Sequence, residues 1–336
     1  MRIVVDAMGS DHFPKPDVQG AILAAEAGKK IILVGQEELI KKELDLYSPQ
    51  QRRNIETVHA DEIIAMKDKP SIVGKEKPNS SMHIGMNLVR DGHADGFVTA
   101  GNTGAAHAIA MLFTLKRIKG VKRPALSLIF SIYNKPVIIL DVGANADSKP
   151  EWLIQFAMMG SIYSHLAFNL PSPRVALLSN GEEEGKGTQT ILEARDMMRN
   201  TKLNFIGNIE PKDMLSNGAD VVVADGFTGN ILIKTFEAST KYLSGIISEE
   251  IKNSIFTSIG GLIATPAFRR VRRRVDPSEI GGTPLLGVNG TVIISHGSSD
   301  GFAIKNAIFQ AEVAAKAGIV EAIRDNISTL SFDDEA

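Results

Sequence analysis

The sequence predicts an α/β fold with a Rossmann-like, three-layer α/β/α architecture. Short apolar runs alternate with helical patterns from the first residues on, at 2–5, 16–29, 31–34 and 37–46. This β-α-β-α order is typical of a parallel sheet with helices on both faces. In addition, four runs that read as strands end in turns that combine glycine with asparagine. The 336 residues suffice for one large or two medium domains.

Composition excludes several classes of function. A formal charge of −2 argues against general nucleic-acid binding. With no cysteine, the chain has no disulfide, thiolate metal site or thiol nucleophile. The first residues read as a strand with no apolar segment of a signal peptide behind them. No apolar stretch approaches the roughly 18–20 residues that span a bilayer, so we expect a soluble, cytoplasmic protein.

The first half of the chain continues the alternation. The turn after the first strand contains only Gly9 of the Gly-x-Gly-x-x-Gly pattern, so it does not predict a dinucleotide site. Residues 65–79 are polar and contain prolines and four lysines. They are predicted to form an exposed loop or short helix over a cleft, either as an anion-facing lid or as a solvated loop. Further strands are expected at 54–59 and 96–99, with a helix at 80–91.

The second half adds an antiparallel part and a long helix. Strands at 123–132 and 136–140 are predicted to form a hairpin around 131–135. Apolar residues keep helical spacing for more than 20 residues after Ile231, which is typical of helices that make subunit contacts. Other strands are predicted at 174–178, 203–207, 221–224 and 292–295, and helices at 101–119, 150–168 and 303–323.

The turns after four strands are the predicted site. Residues 219–231 read as strand, glycine turn and helix start, an arrangement that turns backbone N–H groups toward an anion. The same pattern occurs at 98–105, and looser versions occur at 140–145 and 177–182. Ligands of open α/β sheets bind at the carboxyl ends of strands. We therefore expect the four turns to build one site, although a capped helix explains Asn102 and Thr103 equally well.

Residues 181–188 imitate a phosphate-binding P-loop without matching it. Gly181 and Gly185 are separated by three residues where a P-loop has four, and Lys186 is followed by glycine. The three glutamates at 182–184 would repel a nucleoside triphosphate. What remains is Lys186, which is either a point charge beside an anion or a surface lysine.

Metal and covalent catalysis find little support. The seven histidines form no His-x-x-x-His pair, and without cysteine there is no thiol nucleophile. The acids Asp6, Asp11, Asp141 and Asp225 suit Mg²⁺, helix caps or turns. Turns rich in asparagine and glycine, with one lysine and one histidine, instead suit acyl transfer by direct attack of a small anion. The residues alone thus indicate an anion-using transferase or a ligand-binding α/β protein.

Several blocks together resemble a known family. They are Asp-Ala-Met-Gly-Ser-Asp at 6–11, Ala-Gly-Asn-Thr-Gly-Ala at 100–105, Asp-Val-Gly-Ala-Asn at 141–145, Leu-Ser-Asn-Gly-Glu-Glu at 178–183, Asp-Gly-Phe-Thr-Gly-Asn at 225–230, Gly-Gly-Thr-Pro-Leu-Leu-Gly at 281–287 and His-Gly-Ser-Ser at 296–299. Over residues 1–325 the sequence is similar to the bacterial phosphate acyltransferase family, the PlsX type. It departs at Ser10, where glycine is expected, and at Thr283, where alanine is expected.

The resemblance implies transfer of a fatty acyl group from acyl carrier protein to inorganic phosphate. The product, acyl phosphate, feeds phosphatidic acid and phospholipid synthesis. It also implies a homodimer with a fold related to the isocitrate and isopropylmalate dehydrogenases and to phosphotransacetylases, without a cofactor. Two alternatives stay open, a phosphate acetyltransferase dependent on coenzyme A and a non-catalytic anion-binding protein.

On this basis we hypothesise a role for each candidate residue. Phosphate attacks the thioester carbonyl directly, and Lys186 neutralises its charge. Asn230 and Asn102, helped by Thr103, donate hydrogen bonds to phosphate or to the developing oxyanion. His296 orients phosphate or acts as a base, unless it has a capping or core role.

A stretch near residue 265 combines apolar side chains with arginines. Such a stretch is a solvated basic helix end, a docking surface for acidic carrier protein, or a contact for anionic lipid. We expect one catalytic domain over 1–330 in which 231–276 form a protruding helical hairpin. Its tip is expected to attach the protein peripherally to the inner face of the cell membrane, with part of the arginines docking carrier protein. The residues are Ile259, Leu262, Ile263, Phe268, Arg269, Arg270, Arg272, Arg273 and Arg274.

Overall fold

The computed structural model describes residues 1–132, 135–275, 277–328 and 330. Within them, eleven strands form one sheet. In chain order they are β1 (Arg2–Asp6), β2 (Lys30–Gly35), β3 (Ile55–His59), β4 (Gly96–Thr99), β5 (Ala125–Ile132), β6 (Lys135–Leu140), β7 (Val175–Leu178), β8 (Phe205–Ile209), β9 (Val221–Val223), β10 (Thr283–Leu286) and β11 (Thr291–Ile294).

Helices occupy most of the remaining described residues. They are α1 (Lys15–Glu26), α2 (Glu37–Leu44), α3 (Pro70–Glu76), α4 (Ser81–Arg90), α5 (Thr103–Ala108), α6 (Pro150–Phe168), α7 (Gln189–Met198), α8 (Pro211–Met214), α9 (Gly226–Lys252), α10 (Ile255–Val275), α11 (Gly301–Lys316) and α12 (Ile319–Ile327). A π-helical turn, Ile109–Phe113, extends α5, and a 3₁₀ turn lies at Pro277–Glu279.

The sheet contains two parallel sets of strands that run in opposite directions. Its order is β3-β2-β1-β4-β11-β10-β5-β6-β9-β7-β8. The first five strands are parallel to one another, as are the last four. Between them β10 is antiparallel to both β11 and β5, and β5 is antiparallel to β6. The α/β prediction is confirmed, but the carboxyl ends of the strands do not form one edge.

The side chains of each strand set alternate between two buried clusters. In β6, Ile138 and Leu140 pack with residues of α6, whereas Val137 and Ile139 pack on the other face with Ile233 of α9. In β1, alternate residues likewise enter different clusters. This period of two is what a sheet buried on both faces requires.

One predicted helix differs from the structure, and the predicted hairpin is confirmed. The helix expected over 101–119 loses its α-helical form at Ala108, continues as the π-helical turn and ends before Lys116, whose φ of 64° is left-handed. The expected hairpin is confirmed in that β5 and β6 pair antiparallel from Ile132 and Lys135 onward. Its turn, Tyr133 and Asn134, lies outside the described residues.

The two longest helices follow each other directly. α9 begins at Gly226, five residues earlier than expected, and α10 begins three residues after α9 ends. They contact each other where the side chain of Ile251 lies against Gly261. Among the described residues, no helix is apolar enough over a sufficient length to cross a bilayer.

Candidate active site

The start of α9 is closed by an acidic side chain. The Asp225 carboxylate accepts hydrogen bonds from the backbone N–H and the hydroxyl of Thr228, both at 2.8 Å. The N–H of Gly226 donates to the carbonyl of Asn145 at 2.8 Å. A carboxylate therefore caps this helix. The expectation that the N-terminus of α9 faces an anion with free N–H groups is wrong for these donors.

Two glycines let α9 sit directly on the turn that follows β6. A Cβ atom on Gly226 would lie 2.5 Å from the carbonyl oxygen of Asn145, and one on Gly229 would overlap the carbonyl oxygen of Asp141. Any larger residue at these positions would push the helix away. The glycines of this block thus serve close backbone approach.

The Asp141 side chain holds the turn after β6 in place through hydrogen bonds. Its buried carboxylate accepts five hydrogen bonds, from the N–H groups of Leu126, Gly143, Ala144 and Asn145 and from the Asn145 side chain. Burial raises the pKa of the Asp141 carboxyl, while the five donors favour its ionised form. Sequence reasoning noted this block but gave Asp141 and Asn145 no definite role. Its signal was an acid followed within four residues by glycine and asparagine.

Asn230 lies over this turn with an unused amide. A Cβ atom on Gly143 would lie 3.1 Å from Nδ2 of Asn230, and Gly143 itself has a φ of 139° that favours glycine. The amide forms no hydrogen bond with any residue that the structure describes. Asn230 is half-buried, so its donors and its acceptor are positioned but available. We call residues 141–145 and 225–230 the Asn230 cluster.

Lys186 lies in the loop after β7, next to β9 in the sheet. The loop is closed by a hydrogen bond from the Lys186 N–H to the Glu183 carbonyl at 3.0 Å. The side-chain stem lies against Gly181, where a Cβ would lie 2.7 Å from Cγ of Lys186. Its exposed ammonium forms no ion pair within the described part of the chain. Within the described residues, no hydrogen bond links Lys186 and Asn230.

Both polar atoms of the Asn102 side chain form hydrogen bonds with the backbone. Its Oδ1 accepts from the Ala105 N–H at 3.0 Å and so caps α5. Its Nδ2 donates to the carbonyls of Met66 at 3.0 Å and Asp68 at 2.9 Å, with a longer contact to Ala65. The polar segment expected over a cleft is thereby fixed against α5, and its Pro70–Glu76 part is the short helix α3.

Thr103 and His296 are exposed near Asn102. Thr103 is the first residue of α5. Nδ1 of His296 accepts from the Ser298 N–H at 3.2 Å, which places the proton of the neutral ring on Nε2. The adjoining Gly297 lies against the Met66 side chain, and the Met66 carbonyl accepts a hydrogen bond from the Asn102 amide. We call Asn102, Thr103, His296 and residues 65–68 the Asn102 cluster.

The two clusters share a hydrophobic base. Ala105 and Ala106 of α5 and Leu126 belong to one buried cluster, against which Val142 and Ala144 pack. Between the Asn102 and Asn230 clusters, the described residues form no hydrogen bond. The structure thus pairs the turns at 141–145 and 225–230, and separately the segments around Asn102 and His296. That all four turns build one site stays a prediction.

Two buried acids lie behind the Asn102 cluster. Asp6 accepts from the Thr99 hydroxyl at 2.7 Å, and Asp17 accepts from the Ser10 hydroxyl at 2.5 Å. Burial, opposed by the Ser10 hydrogen bond, raises the pKa of Asp17 to about 8. Oδ1 of Asp17 is buried and has no hydrogen-bond partner among the described residues. In the described part of the chain, no group of three or more potential ligands is placed to hold a metal ion.

Helix α10 exposes several apolar side chains. Leu262 and Ile263 are 75% and 76% exposed, and Ile259 and Phe268 are also exposed. Sequence reasoning did not single out Phe256, which is 88% exposed. Arg269 and Arg270 are exposed on α10. The side chains of Arg272, Arg273 and Arg274 lie outside the described residues.

Sequence comparison decides the family. Residues 1–322 match the family model described as "Fatty acid synthesis protein". The chain belongs to this family. It is 46% identical to a phosphate acyltransferase of Dictyoglomus turgidum, over 98% of this chain and 99% of the relative. It is 45% identical to a phosphate acyltransferase of Pelotomaculum thermopropionicum, over 98% and 96%. The resemblance to the phosphate acyltransferase family is confirmed.

Solved structures share the fold of this family member at low identity. A phosphotransacetylase from Streptococcus pyogenes is similar with a TM-score of 0.60 at 18% identity, over 94% of both chains. A putative 4-hydroxythreonine-4-phosphate dehydrogenase from Salmonella typhimurium is similar with a TM-score of 0.52 at 12% identity, over 93% of this chain and 98% of the other. The expected likeness to phosphotransacetylases is confirmed for the fold; that to isocitrate and isopropylmalate dehydrogenases stays a prediction.

Proposed function

We propose that this chain transfers a fatty acyl group from acyl carrier protein to inorganic phosphate. The acyl phosphate formed serves phosphatidic acid and phospholipid synthesis. Near full-length similarity to proteins named phosphate acyltransferase is the observation that carries this proposal. The available amide of Asn230, on a rigid turn, adds a donor of the kind that such a reaction needs.

The reaction needs no covalent enzyme intermediate. An oxygen of hydrogen phosphate forms a bond to the thioester carbonyl carbon, and the carbonyl oxygen becomes an oxyanion. The carbon–sulfur bond then breaks, and the phosphate proton ends on the thiol of the carrier. Atoms and charge balance without an oxidant, a metal or a nucleotide. The protein's tasks are to hold two substrates and to stabilise the added charge.

In the proposed site, the Asn230 amide donates to phosphate or to the oxyanion. Lys186 supplies positive charge from its loop after β7, because its ammonium is exposed and has no ion-pair partner in the described part of the chain. In this proposal the anion lies between Lys186 and Asn230, which share no hydrogen bond in the described part of the chain.

The Asn102 cluster forms the opposite wall in this proposal. The Asn102 amide already donates to carbonyls at 66 and 68, so direct donation to substrate requires exchange of these bonds. Thr103 offers an exposed hydroxyl. His296 carries its ring proton on Nε2, which favours a role as a donor that orients phosphate over a role as a base.

The decisive assay offers acyl carrier protein thioester and phosphate to the purified chain and measures acyl phosphate. Lys186→Ala and Asn230→Ala are expected to lower kcat/KM by about 10²-fold or more each. Lys202→Ala removes another exposed lysine and serves as the control. If both site variants keep wild-type rates, the assigned site is wrong.

One alternative activity is that of a phosphate acetyltransferase, since the fold is similar to that of phosphotransacetylases. The alternative is a reaction with coenzyme A thioesters, so acyl-CoA is the second substrate arm of the same assay. Turnover with acetyl-CoA alone would replace our proposal by a phosphate acetyltransferase. Phosphate binding without turnover of either thioester would leave a non-catalytic anion-binding protein.

We further propose one catalytic domain over 1–330 in a cytoplasmic homodimer. Residues 231–276 are its protruding helical hairpin, with exposed Tyr242 and Leu243 on α9 suited to a subunit contact. Light scattering should give twice the chain mass. A monomeric mass at micromolar concentration would contradict the dimer.

The hairpin tip is proposed to touch the inner face of the cell membrane. Exposed Ile259, Leu262, Ile263 and Phe268 can insert shallowly. Arg269 and Arg270, with Arg272, Arg273 and Arg274 of the sequence, attract anionic lipid. In flotation with anionic vesicles, Leu262→Glu with Ile263→Glu should abolish binding. Leu46→Glu, at an equally exposed leucine on the body, is the control. Unchanged flotation of the tip variant would contradict the contact.

A further inference from the structure

A basic segment lies between α5 and β5. Residues 96–140 contain no aspartate or glutamate, and five of their six lysines and arginines fall between positions 116 and 123. We call residues 116–123 the basic strap. Its cations are Lys116, Arg117, Lys119, Lys122 and Arg123.

The strap is irregular but firmly held. Ile118 and Val121 are buried beneath it. The Asn289 amide donates to the Arg117 carbonyl at 2.9 Å, and the Gln155 amide donates to the Gly120 carbonyl at 3.0 Å. Positive charges on a fixed backbone lose little freedom when they meet a partner, so they suit a recognition surface.

Two charges of the strap, Lys119 and Arg123, have no acidic partner in the described part of the chain. Neither Lys119 nor Arg123 forms an ion pair with any residue that the structure describes, and both are exposed. The Arg123 guanidinium lies 5.1 Å from the centre of the Trp152 ring. Leu112 and Phe113, at the end of the π-helical turn before the strap, expose 53% and 40% of their surface. The surface thus combines the cations of Lys119 and Arg123 with an apolar edge.

The strap ends at the Asn230 cluster. The carbonyl of Pro124, the residue after the strap, accepts from the Asn145 amide at 2.8 Å. The Asn145 carbonyl in turn accepts from the N–H of Gly226, the first residue of α9. A partner bound to the strap would therefore lie beside the proposed site.

We infer that the basic strap docks the acidic carrier protein that brings the acyl thioester. This inference rests on the proposed function. Complementary charge at the rim of an interface speeds the encounter and fixes orientation. The strap takes over the role that the sequence assigned to part of the arginines after Phe268, and it leaves Arg269 and Arg270 to the lipid surface.

The test is steady-state kinetics with acyl carrier protein thioester as the varied substrate. Lys119→Glu with Arg123→Glu should raise KM about tenfold, with kcat within about twofold of wild type and a weaker salt dependence. Lys119→Glu alone, at an exposed side chain without a hydrogen bond or ion pair to the described residues, should raise KM in the same direction without altering thermal unfolding. Lys41→Glu with Lys42→Glu on α2 changes the net charge equally and is expected to leave KM unchanged.

The outcomes separate this inference from the proposed function. If wild-type protein forms no acyl phosphate from carrier thioester, the proposed function fails. If it does, a KM for the strap variant that matches the α2 control overturns the inference. It is also overturned if Arg269→Glu with Arg270→Glu alone raises KM, or if the strap variant loses only vesicle binding.

Discussion

At the start of α5, Asn102 caps the helix and ties down residues 66 and 68, whereas at the start of α9 the cap is Asp225 and Asn230 lies one turn further on. Both segments place threonine, glycine and asparagine after a buried strand. Because an aspartate caps α9, the Asn230 amide is not used in capping and stays available to a ligand. The same residue types thus give a structural asparagine in one turn and an available one in the other.

Replacement of Asn230 tests most directly whether the two asparagines differ in role, and its expected effect is the largest. Asn230→Ala is expected to lower kcat/KM by about 10²- to 10³-fold, the range found when one donor to a developing oxyanion is lost. Thermal unfolding should stay unchanged because the amide has no partner among the described residues. A variant that unfolds at lower temperature while it retains activity would make Asn230 the structural asparagine.

Gly229 tests whether α9 must sit on the turn after β6. Gly229→Ala is expected to destabilise the protein by about 1–3 kcal/mol in denaturant unfolding, because its Cβ would overlap the Asp141 carbonyl oxygen.

Gly245 offers the matched control within the same helix. Nothing lies within 4 Å of a Cβ atom at this position. Gly245→Ala should stabilise α9 by about 0.5–1 kcal/mol, the usual helix preference for alanine. Equal effects of the two alanines would show that the close approach at Gly229 is unimportant.

Asn102→Asp separates the two structural tasks of Asn102. The aspartate keeps an oxygen that caps Ala105 but loses the donors to the carbonyls at 66 and 68. We expect a loss of about 1–2 kcal/mol in unfolding free energy and faster amide exchange in residues 65–79. Protection of that segment at the wild-type level would disprove the anchoring role.

The buried acids Asp17 and Asp141 are expected to affect stability in different ways. Asp17 has a raised pKa of about 8, so the folded protein holds a proton there that the unfolded chain loses near pH 4. Its contribution to stability is complete below that value and declines as pH rises toward 8, by about 1 kcal/mol between pH 6 and pH 7.

Asp17→Asn should remove this slope in unfolding experiments across pH. Asp141→Asn is the contrast, since it replaces an acceptor of five hydrogen bonds and should destabilise at pH 7. A wild-type slope that persists in Asp17→Asn would assign it to another group.

Local pattern predicted much of the fold. Alternating apolar runs placed the strands, and glycine next to asparagine placed the turns at 98–105, 141–145 and 225–230. The reversal of strand direction could not be predicted, because it depends on pairing of β10 with β5, which are distant in sequence. The end of α5 was missed because no glycine or proline marks the π-helical turn or the left-handed Lys116.

The site was predicted less well than the fold, because capping and availability depend on partners outside each motif. Asn102 and Asn230 looked alike in sequence. Only the carbonyls at 66 and 68 and the Asp225 cap distinguish them.

The strands at the middle of the sheet are among the last to be synthesised. β10 and β11 separate β4 from β5, although they come from residues 283–294. Until these residues leave the ribosome, the earlier strands can form only two separate sheets with open edges at β4 and β5. The nascent chain therefore cannot join the Asn102 and Asn230 clusters in one sheet until residues 283–294 have been synthesised. We expect a chain that stops at residue 280 to be inactive and readily cleaved by protease.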